Sequence, residues 1–328
     1  MSGRRLAGVV GHDALRARFE ELLATGRLAP AYLFVGPAGV GKRTFALALA
    51  RAGLCRAGGG DACACTSCQK VRARTHPDLH VYSAEGEVFP IDHVRELRAR
   101  LAQVPWESDH RYAILDGVER LAAEAGNALL KTLEEPPAYA RIVLVIAGSG
   151  TLLPTIESRC QRVRFGPLGE ADVAAGLVAS GMDSARARAL APLCGGRLGA
   201  ATAEGEALLA ARERLLAEWA KGLSLVGAGA ALGVVALGDA EGQAAREVAR
   251  GLLDFLEVVL RDRIAELSGA GAPLAADVPT ELRATLGHDI EKLLASAEQV
   301  ADWRLAIRSN VSPKAVLEDA GRVIAGCP

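Results

Sequence analysis

Aromatic residues and net charge are both scarce in this chain. Phe, Trp and Tyr make up 4% of its 328 residues, and 38 basic side chains are balanced by 39 acidic ones. A surface that stacks exposed bases needs aromatic side chains, and a surface that attracts DNA needs a local excess of positive charge. The composition therefore argues against an autonomous nucleic-acid-binding protein. Any DNA contact is expected from a local patch or from partner subunits.

Long apolar runs are lacking as well. The most apolar stretch, residues 223–238, is interrupted by glycines and is shorter than the ~20 residues that a membrane-spanning helix needs. Polar and charged residues recur near the N-terminus, so we expect no signal-peptide core. The protein is therefore expected to be cytoplasmic. In that reducing compartment its seven cysteines would more often bind metal than form disulfides.

The apolar pattern divides the chain into an α/β part and an all-α part. Over residues 1–168 short apolar runs alternate with helical patterns, which predicts a three-layer domain with a mostly parallel sheet. The expected strands are residues 32–35, 112–115 and 142–146. After residue 168 strand patterns disappear. We expect a small helical domain over residues 169–205 and a larger helical domain over residues 206–328.

A glycine loop follows the first expected strand and precedes a helix. Its backbone N–H groups can close around phosphate oxygens, and its lysine adds a point charge. The residues expected to bind nucleotide are Gly36, Gly39, Gly41, Lys42, Thr44 and, from a later strand, Asp116. The residue after the lysine should be a Mg²⁺-binding Ser or Thr, but it is Arg43. Because one residue is a rotation of about 100° on a helix, Thr44 is not expected to replace that ligand.

The end of the second expected strand is also altered. Asp116 occupies the place of a Mg²⁺-coordinating aspartate, but Gly117 stands where active ATPases of this class carry a water-activating glutamate. We interpret Glu119 as a solvated loop residue and not as a substitute. Residues 147–149 read Ala-Gly-Ser, where active ATPases of this class carry a Thr or Asn that senses the γ-phosphate. The site is therefore predicted to be degenerate, with weak ATP and Mg²⁺ binding at most and little hydrolysis.

Four cysteines cluster within residues 55–68, shortly after the helix of the glycine loop. They are Cys55, Cys63, Cys65 and Cys68. Such a cluster usually holds a structural Zn²⁺ in a tetrahedron of four thiolates, which leaves no open position for catalysis. The single residue between Cys63 and Cys65 is expected to strain the tetrahedron and weaken one ligand. The alternative is four unliganded thiols in a surface loop.

Several further strings complete a recognisable pattern. Residues 9–12 read Val-Val-Gly-His, residues 127–137 read Asn-Ala-Leu-Leu-Lys-Thr-Leu-Glu-Glu-Pro-Pro, and Ser-Arg-Cys occupies residues 158–160. Residues 308–318 also belong to this pattern, as an expected last helix. Together with the phosphate loop and the cysteine cluster, these strings resemble the AAA+ clamp-loader subunits of bacterial DNA polymerase III. The degenerate site is similar to the delta-prime branch of that family and differs from the gamma/tau motor branch.

The resemblance implies a role in DNA replication, within the DNA polymerase III holoenzyme, a DNA-directed DNA polymerase and nucleotidyltransferase. The small helical domain would be the lid, and the larger one a collar that joins five subunits in a ring. The partners would be gamma/tau and delta subunits, with the sliding clamp and primed DNA reached through the complex. In that ring Arg159 would act as an arginine finger toward ATP on a neighbouring subunit. A lone arginine without these flanking strings would more simply be a surface ion pair or a helix cap.

Two other functions stay open at this point. One is a gamma/tau-like motor, which would hydrolyse ATP by itself. The other is a zinc-bearing DNA-binding module, which would bind primed DNA directly and in a salt-sensitive way. A further arginine, Arg197, is either a second phosphate sensor in the lid or an exposed surface residue.

Overall fold

The computed structural model describes residues 5–58, 63–86, 88–147, 152–220, 237–238, 240–270, 273–275, 277–309 and 311–325. The chain divides into two compact units, Met1–Pro167 and Leu168–Pro328. The apolar stretch at residues 223–238 falls almost entirely outside the described residues. So do residues 148–149 of the γ-phosphate sensor position. Within the described residues, no helix is both long and apolar enough to cross a membrane.

The first unit is a five-stranded, fully parallel sheet with helices on both faces. Its strands are β1 (Ala31–Gly36), β2 (Leu79–Ser83), β3 (Arg111–Asp116), β4 (Ala140–Ala147) and β5 (Gln161–Arg164). Its helices are α1 (Asp13–Ala24), α2 (Lys42–Leu54), α3 (Thr66–Arg72), α4 (Ile91–Leu101), α5 (Ala123–Glu134) and α6 (Pro154–Glu157). The strand order is β2-β3-β4-β1-β5. The predicted three-layer α/β fold with a parallel sheet is confirmed.

Alternation along β1 divides the core of this unit into two layers, because successive side chains of a strand point to opposite faces. Tyr32 and Phe34 pack with Phe19 of α1 and Phe45 of α2. Leu33 joins the opposite layer, which α4 and α5 cover. The carboxyl ends of all five strands lie at one edge of the sheet. The loop after β1 and the end of β3 therefore meet there.

The described residues of the second unit form helices joined by loops, with no strand among them. Its helices are α7 (Glu170–Ala179), α8 (Ser184–Leu190), α9 (Leu198–Ala220), α10 (Gly242–Ser268), α11 (Thr280–Ala284), α12 (Ile290–Arg308) and α13 (Pro313–Ala325). Residues from Leu168 to Ala320 contribute to a single apolar core. The expected division between lid and collar at residue 205 falls within the continuous helix α9. That finer division stays a prediction.

Candidate functional site

The glycine loop between β1 and α2 depends on glycine at defined positions. A Cβ at Gly36 would lie 2.2 Å from the backbone oxygen of Phe165, so no side chain fits there. Gly39 and Gly41 have φ values of 80° and 93°, in the left-handed region that favours glycine. His12 contacts the loop, with its Nε2 2.8 Å from the carbonyl oxygen of Val40. These contacts fix a loop that opens toward the N-terminus of α2.

Lys42 is buried at the centre of this loop, with 5% of its surface exposed. Its Nζ donates to the carbonyl oxygen of Gly36 at 2.7 Å and also to that of Pro37. Burial lowers the pKa of Lys42, and the carboxylates of Asp116 and Glu119 partly offset that effect. The loop carbonyls therefore hold the ammonium group where a nucleotide phosphate would compete for it.

Arg43 and Asp116 form an ion pair across the site. Nη1 of Arg43 lies 3.3 Å from Oδ2 of Asp116, and the two side chains are 40% and 28% exposed. In an active site of this fold, the same two positions hold Mg²⁺. Thr44, one residue further on α2, is exposed. The guanidinium thus occupies the place that the aspartate would offer to the metal.

Gly117 and Glu119 lie in the turn that follows β3. Gly117 has φ of 88°, and a Cβ there would lie 2.9 Å from the Cβ of Ala84. A glutamate at position 117 would therefore be strained as well as crowded. The interpretation of Glu119 as a solvated loop residue is wrong. Its Oε2 is buried and has no hydrogen-bond partner among the described residues, and its charge acts on Lys42.

The four clustered cysteines converge on one point. Their sulfur atoms all lie within 4.8 Å of one another. Cys55 Sγ is 3.6 Å from that of Cys63 and 3.8 Å from that of Cys65. Sulfurs bound tetrahedrally at about 2.3 Å from zinc lie about 3.8 Å apart, so the four thiols fit that metal. The single residue between Cys63 and Cys65 does not keep any of the four sulfurs out of the cluster.

Neighbouring groups hold the cysteine cluster to the sheet. Ser67 donates to the carbonyl oxygen of Leu54 at 2.7 Å, and its Oγ lies 3.0 Å from Nε2 of His76. His76 Nδ1 accepts the backbone N–H of Asp78. Asp78 is fully buried and forms an ion pair with Arg111 at 3.3 Å. A chain of buried polar contacts thus joins the cluster to the beginning of β2 and β3.

Arg159 lies just after the short helix α6. Its Nη2 lies 2.7 Å from Oε1 of Glu134, at the end of α5, and its Nη1 donates to the carbonyl oxygen of Thr155 at 2.9 Å. The side chain is 35% exposed, so it is held in place and still reachable. Burial raises the pKa of the neighbouring Cys160 thiol to about 12, which argues against a reactive role for that cysteine.

Arg197 belongs to a buried ionic network in the second unit. Its guanidinium lies 3.1 Å from Glu247 and 3.6 Å from Asp254, and the side chain is 14% exposed. The interpretation of Arg197 as an exposed surface residue is therefore wrong. Burial raises the pKa of Asp254, and Arg304 and Arg197 counteract that effect.

Comparison with known proteins adds the family context. Residues 11–169 match the family model described as DNA polymerase III, delta subunit. The chain is 37% identical over 143 residues to DNA polymerase III subunit delta' of Bacillus subtilis strain 168, which is 43% of this chain and 44% of that protein. It is 30% identical over 162 residues to DNA polymerase III subunit gamma/tau of Mycoplasma pneumoniae, which is 49% of this chain and 24% of that protein. The chain thus matches less than half the length of these relatives.

A solved structure is similar over a longer stretch. It is a DNA polymerase III gamma subunit-related protein of Thermotoga maritima, 22% identical, with a TM-score of 0.48. The similarity covers 94% of this chain and 98% of that one.

Proposed function

Because this chain belongs to the delta-prime family of DNA polymerase III clamp-loader subunits, we propose that it is the non-hydrolysing member of a clamp-loader ring. It supplies Arg159 in trans to ATP on a neighbouring motor subunit while the ring places a sliding clamp on primed DNA. The observation that carries this proposal is the Arg43–Asp116 ion pair. A subunit whose own Mg²⁺ position is filled by an arginine contributes to hydrolysis by completing another subunit's site.

The chain's own site supports a structural role. It lacks the hydroxyl that would follow Lys42, and the backbone at Gly117 has no room for a glutamate. Both groups act directly on the metal and the attacking water in ATPases of this fold. The alternative, a gamma/tau-like motor, retains support only from Lys42 and Asp116 and from the matching gamma/tau relatives. Rapid ATP hydrolysis by the isolated chain would favour that alternative.

The surroundings of Arg159 support its role as a finger. A guanidinium presents a planar fork of donors that suits phosphate oxygens, and a finger supplied in trans accelerates hydrolysis by about 10³–10⁵. Glu134 and the carbonyl oxygen of Thr155 hold the side chain at the surface of its own unit. In the ring, ATP phosphates compete with Glu134 for the guanidinium.

The cysteine cluster supports a structural zinc. Cys55, Cys63, Cys65 and Cys68 supply all four ligands, and a bound Zn²⁺ would provide cross-linking without an open position for chemistry. The Sγ of Cys65 accepts the backbone N–H of Cys68 at 3.5 Å, which orients it within the cluster. Zinc would fasten the end of α2 to the beginning of α3. It takes no part in ATP hydrolysis.

Reconstitution with gamma/tau and delta subunits tests the proposal. The chain should form a defined hetero-oligomer, and Arg159→Ala should still assemble but lose clamp- and DNA-stimulated ATP hydrolysis at one interface. Arg162→Ala is a matched control, because Arg162 lies on β5 three residues away, is 47% exposed and also pairs with a glutamate. Arg159→Lys should rescue little, because a point charge does not reproduce the guanidinium fork. Normal clamp loading by the Arg159→Ala complex would contradict the proposal.

A further inference from the structure

The ion pair between Arg43 and Asp116 changes what the glycine loop can bind. The pair places the Arg43 guanidinium beside the Asp116 carboxylate that would otherwise ligate Mg²⁺, at an N–O distance of 3.3 Å. Mg²⁺ requires near-octahedral oxygen ligands, and an arginine in the Ser/Thr position offers none. A divalent ion beside the guanidinium would also be repelled by it. Magnesium therefore does not fit this site.

The same arginine is suited to phosphate. In the part of the chain that the structure describes, its Nε is buried without a hydrogen-bond partner, although Nη1 reaches Asp116. A guanidinium has five N–H donors, so it can hold a carboxylate and phosphate oxygens together. Lys42, one residue before it, donates to the loop carbonyls of Gly36 and Pro37, which a phosphate could replace. Two adjacent cations at the N-terminus of α2 thus lie beside a loop with the backbone of a phosphate site.

We propose that the glycine loop binds nucleoside polyphosphates in their metal-free form, with the guanidinium of Arg43 in the place of Mg²⁺. Lys42, Arg43 and the loop amides neutralise the phosphates, and no metal-bound water is produced. The site therefore retains its ligand without hydrolysing it. This property concerns the chain's own site and does not depend on Arg159 acting in trans.

Nucleotide binding to the full chain, measured by calorimetry with ATP, distinguishes the metal-free from the metal-bound form. The dissociation constant in EDTA should lie within about threefold of the value in Mg²⁺, or below it. Arg43→Thr should weaken binding in EDTA by roughly tenfold or more and make binding depend on Mg²⁺, because Asp116 and a hydroxyl become available. Lys42→Ala should abolish binding in both buffers. Arg27→Thr, an exposed arginine paired with Glu21, should change nothing.

Several outcomes would overturn the inference. These are wild-type binding that requires Mg²⁺, the absence of any ATP binding in either buffer, and binding that survives Lys42→Ala. Arg43→Gln keeps a long polar side chain without the charge, and it separates loss of the cation from loss of packing. Thermal unfolding of each variant confirms that it is folded. Any of these failures would leave the trans role of Arg159 unaffected, because that role is measured on a neighbour's ATP.

Discussion

Restoring the two missing ATPase residues, by Arg43→Thr together with Gly117→Glu, is expected to destabilise the first unit and leave it inactive. The φ of 88° at Gly117 costs an L residue ~1–2 kcal/mol. The new Cβ would lie 2.9 Å from that of Ala84, and crowding of this kind costs about 1–3 kcal/mol. Ala84 cannot move away freely, because its N–H donates to the carbonyl oxygen of Asp116 at 2.9 Å. The total is about 2–5 kcal/mol.

Thermal unfolding measures the loss of stability of the double variant, and ATP turnover measures its activity. At ~2–4 °C per kcal/mol, the midpoint should fall by roughly 4–20 °C, with no gain in hydrolysis. Gly8→Ala is a matched control for the backbone cost alone, since Gly8 has φ of 77° and no atom within 4 Å of a Cβ. Gly117→Ala should therefore lower the free energy of unfolding more than Gly8→Ala does. Adding Ala84→Gly to the Gly117→Ala variant should remove that difference, because it removes the crowded Cβ. A double variant with the wild-type midpoint and rapid turnover would refute the reasoning.

Three further predictions concern zinc, the buried aspartate and the finger. Metal analysis should find one Zn²⁺ per chain, and Cys65→Ala should reduce that content and lower the unfolding midpoint. Asp78→Asn should cost about 3–5 kcal/mol in urea unfolding, because it leaves a buried arginine uncompensated, whereas exposed Asp109→Asn should cost little. Burial would raise the pKa of Asp78, but its hydrogen bonds lower it overall, so the deficit should shrink as pH falls below ~3.9. Glu134→Gln should change stability by less than ~1 kcal/mol and raise the trans stimulation by Arg159 by at most about fivefold.

Each of these has a result that would count against it. Zinc content unchanged by Cys65→Ala would mean that this thiol is not a ligand. Equal stability of the Asp78→Asn and Asp109→Asn variants would mean that the buried pair with Arg111 contributes little. Loss of stimulation in Glu134→Gln would mean that the glutamate helps Arg159 in the complex instead of competing with ATP for it.

The sequence predicted the centre of the sheet better than its edges. β1, β3 and β4 are continuous apolar runs because both of their faces are covered, and the predicted strands lie within them. The edge strand β5 reads Gln-Arg-Val-Arg with a single buried side chain, so its apolar pattern is too weak to predict it. β2, the strand at the other edge of the sheet, also mixes polar and apolar residues, so its pattern is equally weak.

The site was predictable in its residue types but not in its pairings. The glycine loop, the four cysteines and Arg159 each carry a local pattern. The ion pair between Arg43 and Asp116 joins positions 73 residues apart, and nothing in the sequence indicates that pairing. Glu119 was misinterpreted because a glutamate in a polar loop is usually solvated, whereas the turn after Gly117 directs it inward. The φ of Gly117 is likewise visible only in the structure.

The central claim is that this chain completes a neighbour's ATPase site and not its own. The most direct test is ATP hydrolysis by a reconstituted clamp-loader complex, with clamp and primed DNA, containing either the wild-type chain or Arg159→Ala. Both complexes should assemble, and the Arg159→Ala complex should lose the stimulated hydrolysis that belongs to one interface. Equal stimulated hydrolysis by the two complexes would contradict it.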